Sequence, residues 1–109
     1  MSAITTHVLD VVLGKPGTGI RVTLARREDE NWVHVQQGLT DSDGRCRSLA
    51  PDAQPGTYRL SFATGQYLTD RGRSTIYPEV SITFNFSGEA HYHLPLLLSD
   101  NGYTTYRGS

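Results

Sequence analysis

A single cysteine, Cys46, is all that 109 residues provide. An internal disulfide and a thiolate metal cluster are therefore both excluded. Cationic runs are missing too, and the formal net charge is −1. Nucleic-acid binding needs a concentrated basic footprint, so that class of partner is not expected. The longest greasy run, Leu94 to Leu98, is far too short to cross a bilayer. Met1-Ser2-Ala3-Ile4-Thr5-Thr6-His7 lacks the basic start and long apolar core of a signal peptide. A cytoplasmic protein without a membrane partner is the expectation. No phosphate loop, nucleophile elbow or dinucleotide fingerprint occurs, nor any internal repeat, linker or low-complexity segment.

What is present is turn-rich and alternating. Eleven glycines and five prolines punctuate short stretches of period-two hydrophobicity. The length suits one domain, residues 1–109, with a modest core. Ile4 to Leu13 reads as a first strand, with Ile4, Thr6, Val8 and Asp10 on one face and Thr5, His7, Leu9 and Val11 on the other. A Gly/Pro-rich loop leads to Ile20, Val22 and Leu24. Trp32 to Gln37 is a third strand, with Val33 and Val35 sharing a face. Thr57 to Ala63 points Tyr58, Leu60 and Phe62 inward. Gly65 to Gly72 is the one plausible helix, with Thr64 as its cap and Gly72 as its left-handed stop. Val80 to Phe86 and Glu89 to Leu98 are further strands. Asn101-Gly102 turns the chain into a last one, Tyr103 to Arg107. Seven or eight short strands at this spacing predict an all-β, two-sheet sandwich with one short helix.

The tail stands out among the polar features. Tyr103-Thr104-Thr105-Tyr106 favours a pleated, half-buried surface, whereas chain ends usually fray. Thr40-Asp41-Ser42-Asp43-Gly44 is a tight turn that delivers Arg45. Its glycine comes too early and its closing acid is missing for a calcium loop. Arg45 is either a solvated cation or a fixed fork for planar oxygens. Cys46 faces the other way and reads as a small buried hydrophobe. His7 lies opposite Asp10 across the strand, so the two are not a local pair. His91 and His93 share a strand face. They could join His7 around a zinc ion, but a solvated strand face explains them equally well. Asn85-Phe86-Ser87 matches a glycosylation pattern by chance.

Three stretches together resemble one family. They are Ile4 to Asp10 with Gly14-Lys15-Pro16, then Thr40 to Arg45, then Tyr92 to Ser99 ending in Tyr106-Arg107-Gly108-Ser109. They look like the 5-hydroxyisourate hydrolases of the transthyretin-like family, and the likeness covers essentially the whole chain. It implies a transthyretin-like sandwich, a homotetramer that is a dimer of dimers, and active sites between dimers. It also implies hydrolysis of the lactam bond of 5-hydroxyisourate to 2-oxo-4-hydroxy-4-carboxy-5-ureidoimidazoline, in urate and purine degradation. The residues it carries over as catalytic are His7, Arg45, His93 and Ser109. Those carried over for substrate binding are His7, Arg45, Tyr106, Arg107 and Gly108. His91 falls outside the matched core. Asp100-Asn101 replaces the proline and aromatic common in relatives, a turn variation away from the site.

The residue types suit the chemistry. A histidine takes water's proton at neutral pH. An arginine stabilises carbonyl oxygens as they gain charge. The substrate is already reactive, so neither metal nor cofactor is required. Which histidine is the base stays open, as does the choice between the Ser109 hydroxyl and a terminal carboxylate. Two other classes compete: a transthyretin-like carrier of a small ligand, and a zinc-dependent hydrolase using His7, His91 and His93. A chemistry-free interaction module leaves the ordered polar tail unexplained.

Overall fold

A computed structural model describes residues 4–50, 52–88 and 91–108. In chain order the elements are β1 (Ile4–Asp10), β2 (Lys15–Pro16), β3 (Arg21–Glu28), β4 (Asn31–Leu39), β5 (Arg45–Ala50), β6 (Gly56–Phe62), α1 (Thr64–Asp70), β7 (Val80–Phe86), β8 (Tyr92–Ser99) and β9 (Gly102–Thr105). One sheet runs β2-β1-β8-β9, with β5 also paired to β1, and the other runs β4-β3-β6-β7. The two inner faces close over Ile4, Val8, Val22, Leu24, Leu60, Phe62, Val80 and Leu96, all buried. These side chains recur every second residue, which is why period-two reading finds them.

Among the described residues, antiparallel neighbours make up every strand pairing but one. β1 and β8 are parallel, with Thr5 beside His93, Thr6 beside Leu94 and His7 beside Pro95. On its other edge β1 meets β5, with His7 opposite Arg45. The inner face of β1 is therefore core, and its outer face carries Thr5, His7 and Leu9, each half-buried.

Several boundaries differ from the sequence reading. β1 ends at Asp10, not Leu13. Asp10 itself closes the turn: its backbone oxygen accepts from the Gly14 amide at 2.9 Å, and its side chain accepts from the Leu13 amide at 3.2 Å. Val11, Val12 and Leu13 are left exposed on that turn. β4 is longer than expected and carries a register shift opposite Leu24 and Ala25; Val33 and Val35 are both exposed on this edge strand. The turn before β9 is Asp100-Asn101, since Ser99 pairs with Gly102. β9 stops at Thr105, two residues short of Arg107. The expected strand start at Glu89 lies outside the described residues, and the strand that is described begins at Tyr92.

Thr64 is not the cap of α1. Ala63 occupies that position without a side-chain hydrogen bond, and Thr64 is the first helical residue, buried against the sheet. The stop is as expected. Gly72 has φ +71°, its amide bonds to the Thr69 carbonyl, and the Arg73 amide reaches back to the Leu68 carbonyl, each at 3.0 Å. That pair of bonds is a Schellman motif, which needs the left-handed residue glycine tolerates.

The helix exit delivers Arg73 to a buried acid. Asp10 is fully buried. Arg73 Nη2 donates to its Oδ1 at 3.1 Å, Arg73 Nη1 donates to Oδ2, and the Tyr67 hydroxyl donates to Oδ2 at 2.8 Å. Arg73 Nε also donates to Asp100 at 2.9 Å. Burial alone would raise the Asp10 carboxyl, but the hydrogen bonds from Arg73, Tyr67 and Leu13 outweigh it and hold the group below its ordinary range. One cation thus ties α1's exit loop to the end of β1 and to the β8–β9 turn.

Candidate active site

The outer face of the first sheet gathers the chemistry. His7 stands on β1, Arg45 opens β5 beside it, and His93 stands on β8 with its backbone beside Thr5. The imidazoles of His7 and His93 are 6.4 Å apart between centroids and inclined by 35°. The two imidazoles and the arginine thus share one face of the sheet.

Local structure aims each side chain. Arg45 follows a turn clamped by Asp41, whose carboxylate accepts the Asp43 amide at 2.9 Å and the Arg45 amide at 3.0 Å. The Asp41 amide returns a bond to the Arg45 carbonyl at 2.8 Å. The Arg45 amide bond is the main reason the Asp41 carboxyl lies below its ordinary range. Gly44 adopts φ +78°, and a Cβ there would sit 2.3 Å from the Val8 carbonyl oxygen. Both constraints reserve the position for glycine. The Val8 amide in turn bonds to the Gly44 carbonyl at 2.8 Å. The turn is thereby fastened to β1 one residue from His7.

His93 is held at its ring and at its backbone. Its Nδ1 lies 2.9 Å from the Thr5 hydroxyl. Its carbonyl accepts the Gly108 amide at 2.7 Å, which pins the tail to β8. Burial, the Arg45 cation, and the nearby His7 and His91 together push its imidazole below the ordinary histidine value. A base that stays neutral near pH 7 is the result.

The tail divides its residues. Gly108 bridges to His93. A Cβ on it would lie 2.9 Å from His93 Cδ2 and 3.3 Å from the His93 carbonyl oxygen. Gly108→Ala is therefore expected to displace the His93 ring and lower turnover at least about tenfold while moving the melting temperature by a few degrees or less; steady-state rates and a thermal melt on one preparation check this. Arg107 points elsewhere. Its guanidinium stacks 4.0 Å over the Tyr92 ring, on the strand position whose side chain alternates away from His93. Tyr106 is half-exposed at 53%. Ser109 lies outside the described residues.

Two residues that the sequence reading left aside also arrive here. Thr5 sits between the imidazoles of His93 on β8 and of His91 just before it: its hydroxyl is 2.8 Å from His91 Nε2 as well as bonded to His93. The parallel pairing of β1 with β8, invisible in composition or periodicity, is what places it there. Among the described residues no group of three or more His, Cys, Asp or Glu side chains is arranged to hold a metal ion. Cys46 is buried on β5 at 5% exposure, on the opposite face of the sheet from Arg45.

A family model described as the HIUase/Transthyretin family matches residues 4–108. A 5-hydroxyisourate hydrolase of Salmonella typhimurium is 45% identical, covering 97% of this chain and 80% of that protein. One from mouse is 43% identical, covering 99% and 96%. One from Caulobacter vibrioides is 43% identical over all of both chains. Among solved structures, Klebsiella pneumoniae 5-hydroxyisourate hydrolase superposes with a TM-score of 0.85 at 34% identity, covering 97% of this chain and 98% of that one. Sea bream transthyretin in complex with thyroxine gives a TM-score of 0.93 at 29% identity, covering 97% and 94%. Backbone likeness thus leans slightly to the carrier while sequence likeness leans to the hydrolase. A shared fold does not choose between them, because function resides in the side chains grafted on it. With nearly its whole length matched and relatives above 40% identity, the chain belongs to the HIUase/transthyretin family.

Proposed function

We propose that this protein is an enzyme that hydrolyses the lactam C–N bond of 5-hydroxyisourate, giving 2-oxo-4-hydroxy-4-carboxy-5-ureidoimidazoline in urate degradation. The observation that carries the reading is the meeting of His7, Arg45 and His93 on one sheet face. A ligand carrier has no use for two imidazoles and a guanidinium there, whereas the curated relatives are named for this reaction.

In this mechanism His93 is the base. Its lowered proton affinity keeps Nε2 available at neutral pH, and water bound between the rings loses a proton to it as the oxygen attacks the lactam carbonyl. Arg45 holds the substrate oxygens and stabilises the oxyanion of the tetrahedral adduct. Collapse breaks the C–N bond, and the leaving nitrogen takes a proton. His7, opposite Arg45, orients the substrate. Tyr106 closes the pocket and Gly108 allows the close approach of the tail to His93. Arg107, stacked on Tyr92, supports that tail, and Ser109 is taken as a catalytic residue on the family likeness alone, through its hydroxyl or a terminal carboxylate. No metal or cofactor takes part.

The site lies half-buried on the outer face of the sheet, and Tyr106 on the tail is half-exposed. A homotetramer, a dimer of dimers that covers this face and shares each pocket between subunits, fits that exposure and the transthyretin fold. We place the protein in the cytoplasm as one hydrolase domain. No helix among the described residues is long and apolar enough to cross a membrane.

The test is the decay of absorbance of freshly made 5-hydroxyisourate, followed across pH. The protein is expected to accelerate decay, and kcat/KM to fall on the acid side with a midpoint below the ordinary histidine value of about 6.5. The sign follows from the lowered His93 proton affinity: its useful neutral form persists until the pH drops through the depressed value. Decay at the uncatalysed rate would leave the carrier as the better reading.

A further inference from the structure

The hydrolysis proposed above leaves one proton to be disposed of. Water brings two. One goes to the leaving nitrogen, and the other must reach solvent, since the product carboxylic acid ionises at neutral pH. His93 is half-buried and crowded by Arg45, His7 and His91, so it is a poor place to store charge.

An exit is built beside it. The Thr5 hydroxyl stands 2.9 Å from His93 Nδ1 and 2.8 Å from His91 Nε2. His91 is exposed. A hydroxyl has one hydrogen and two lone pairs. It can donate to only one of these imidazoles and must accept from, or leave unfilled, the other. The three groups therefore form a directed chain. When Thr5 donates to His91 Nε2 and accepts from His93 Nδ1–H, the lone pair of His93 is fixed at Nε2, the only ring nitrogen free of Thr5.

We propose that Thr5 and His91 are positioning residues for His93, setting its tautomer and relaying its proton from the pocket to solvent. The step balances. His93 Nε2 gains the proton of water, and the hydroxide oxygen forms the bond to the lactam carbon. His93 Nδ1–H breaks as a new O–H bond forms on Thr5. The original Thr5 O–H breaks as an N–H bond forms on His91 Nε2. His91 then loses a proton to bulk water. His93 is left neutral with a proton on Nε2. On collapse the adduct's own hydroxyl gives its proton to the leaving nitrogen and becomes the second carboxylate oxygen, so both protons of water are accounted for, and His93 returns to its resting tautomer by exchange with solvent.

Among the described residues, the titratable groups acting on His93 are Arg45 on β5, His7 on β1 and His91 just before β8, none of them an acid. A positive charge parked on His93 would meet Arg45 directly, whereas on exposed His91 it is screened by solvent. This favours transfer outward.

Thr5→Val keeps the shape of the side chain and removes the hydroxyl. Removing the partner of an imidazole's second nitrogen costs about 10–100-fold in metal-bound histidines. A similar loss in kcat is expected here, with KM within about twofold and recovery in Thr5→Ser. His91→Ala is expected to slow turnover in weak buffer and to recover when imidazole is added, because a soluble base replaces the missing acceptor. Thr5→Val is expected not to recover with imidazole, since its break lies inside the protein. His91 is exposed, so its substitution tests the relay even where Thr5→Val disturbs folding. Parent-like kcat in Thr5→Val, or an imidazole-insensitive rate in His91→Ala, overturns the relay. A parent protein with no effect on 5-hydroxyisourate decay overturns the hydrolase reading instead, so the two failures are told apart.

Discussion

His93→Ala lowers kcat on 5-hydroxyisourate by about 10²–10⁴-fold, the usual worth of a positioned general base, while the fold persists. The prediction is large because His93 is the residue on which most of the site's geometry converges. Its side chain is bonded to Thr5, its backbone to Gly108, and its ring faces His7. Nothing in the hydrophobic core depends on it, since its neighbours Leu94 and Leu96 point inward while it points out. Circular dichroism and a thermal melt on the variant are expected to match the parent. A variant that retains more than about a tenth of parent kcat assigns the base to His7 instead, and His7→Ala then carries the larger loss.

Arg73→Met destabilises the fold by about 3–5 kcal/mol, the typical cost of removing one partner from a buried ion pair. For a domain of this size that is a drop in melting temperature on the order of 10–20 °C. The reason is Asp10. Its side chain is 0% exposed, and without Arg73 it keeps only the Tyr67 hydroxyl and the Leu13 amide as partners. Burial then raises its carboxyl rather than being outweighed. The pH dependence follows with opposite signs in the two proteins. In the parent, Asp10 contributes stability above the ordinary carboxylate value of about 3.9, lost as the pH falls through its lowered folded value. In the variant the folded value lies above the unfolded one, so protonation relieves the deficit as the pH drops. The gap between the proteins is therefore expected to narrow from neutral pH toward pH ~4. Urea titrations at several pH values read this directly. A gap that widens on acidification would mean that Asp10 is not the group responsible.

Local pattern accounts for what could be read in advance. Tyr58, Leu60 and Phe62 alternate into the core because a strand offers no other way to bury them. Asp41 and Gly44 announce the turn before Arg45, since a short acceptor and a left-handed glycine are what such a turn consumes. The terminal Gly108 was flagged only through likeness to relatives, and its bridge to His93 supplies the physical reason. What stayed hidden depends on partners distant in sequence. Asp10 looked like one more residue on an alternating face; its cation comes 63 positions later. Thr5 looked like a filler threonine until parallel pairing set it beside His93. Thr64 has the right chemistry for a cap, yet the chain turns one residue earlier and buries it. That Val33 and Val35 are both exposed goes with β4's place at the edge of its sheet, which the pattern of one strand does not reveal.

The parallel contact between β1 and β8 also bears on when activity can arise. Thr5 and His93 are 88 positions apart, so the pocket belongs to contacts of the highest sequence separation in the molecule. Closing such a loop is entropically expensive and slow. During synthesis β1 leaves the ribosome long before β8, and the hairpin of β3 and β4 forms from neighbours already at hand. The candidate site is thus among the last features a nascent chain acquires. A chain cut before β8 holds the strands of the second sheet but lacks His93.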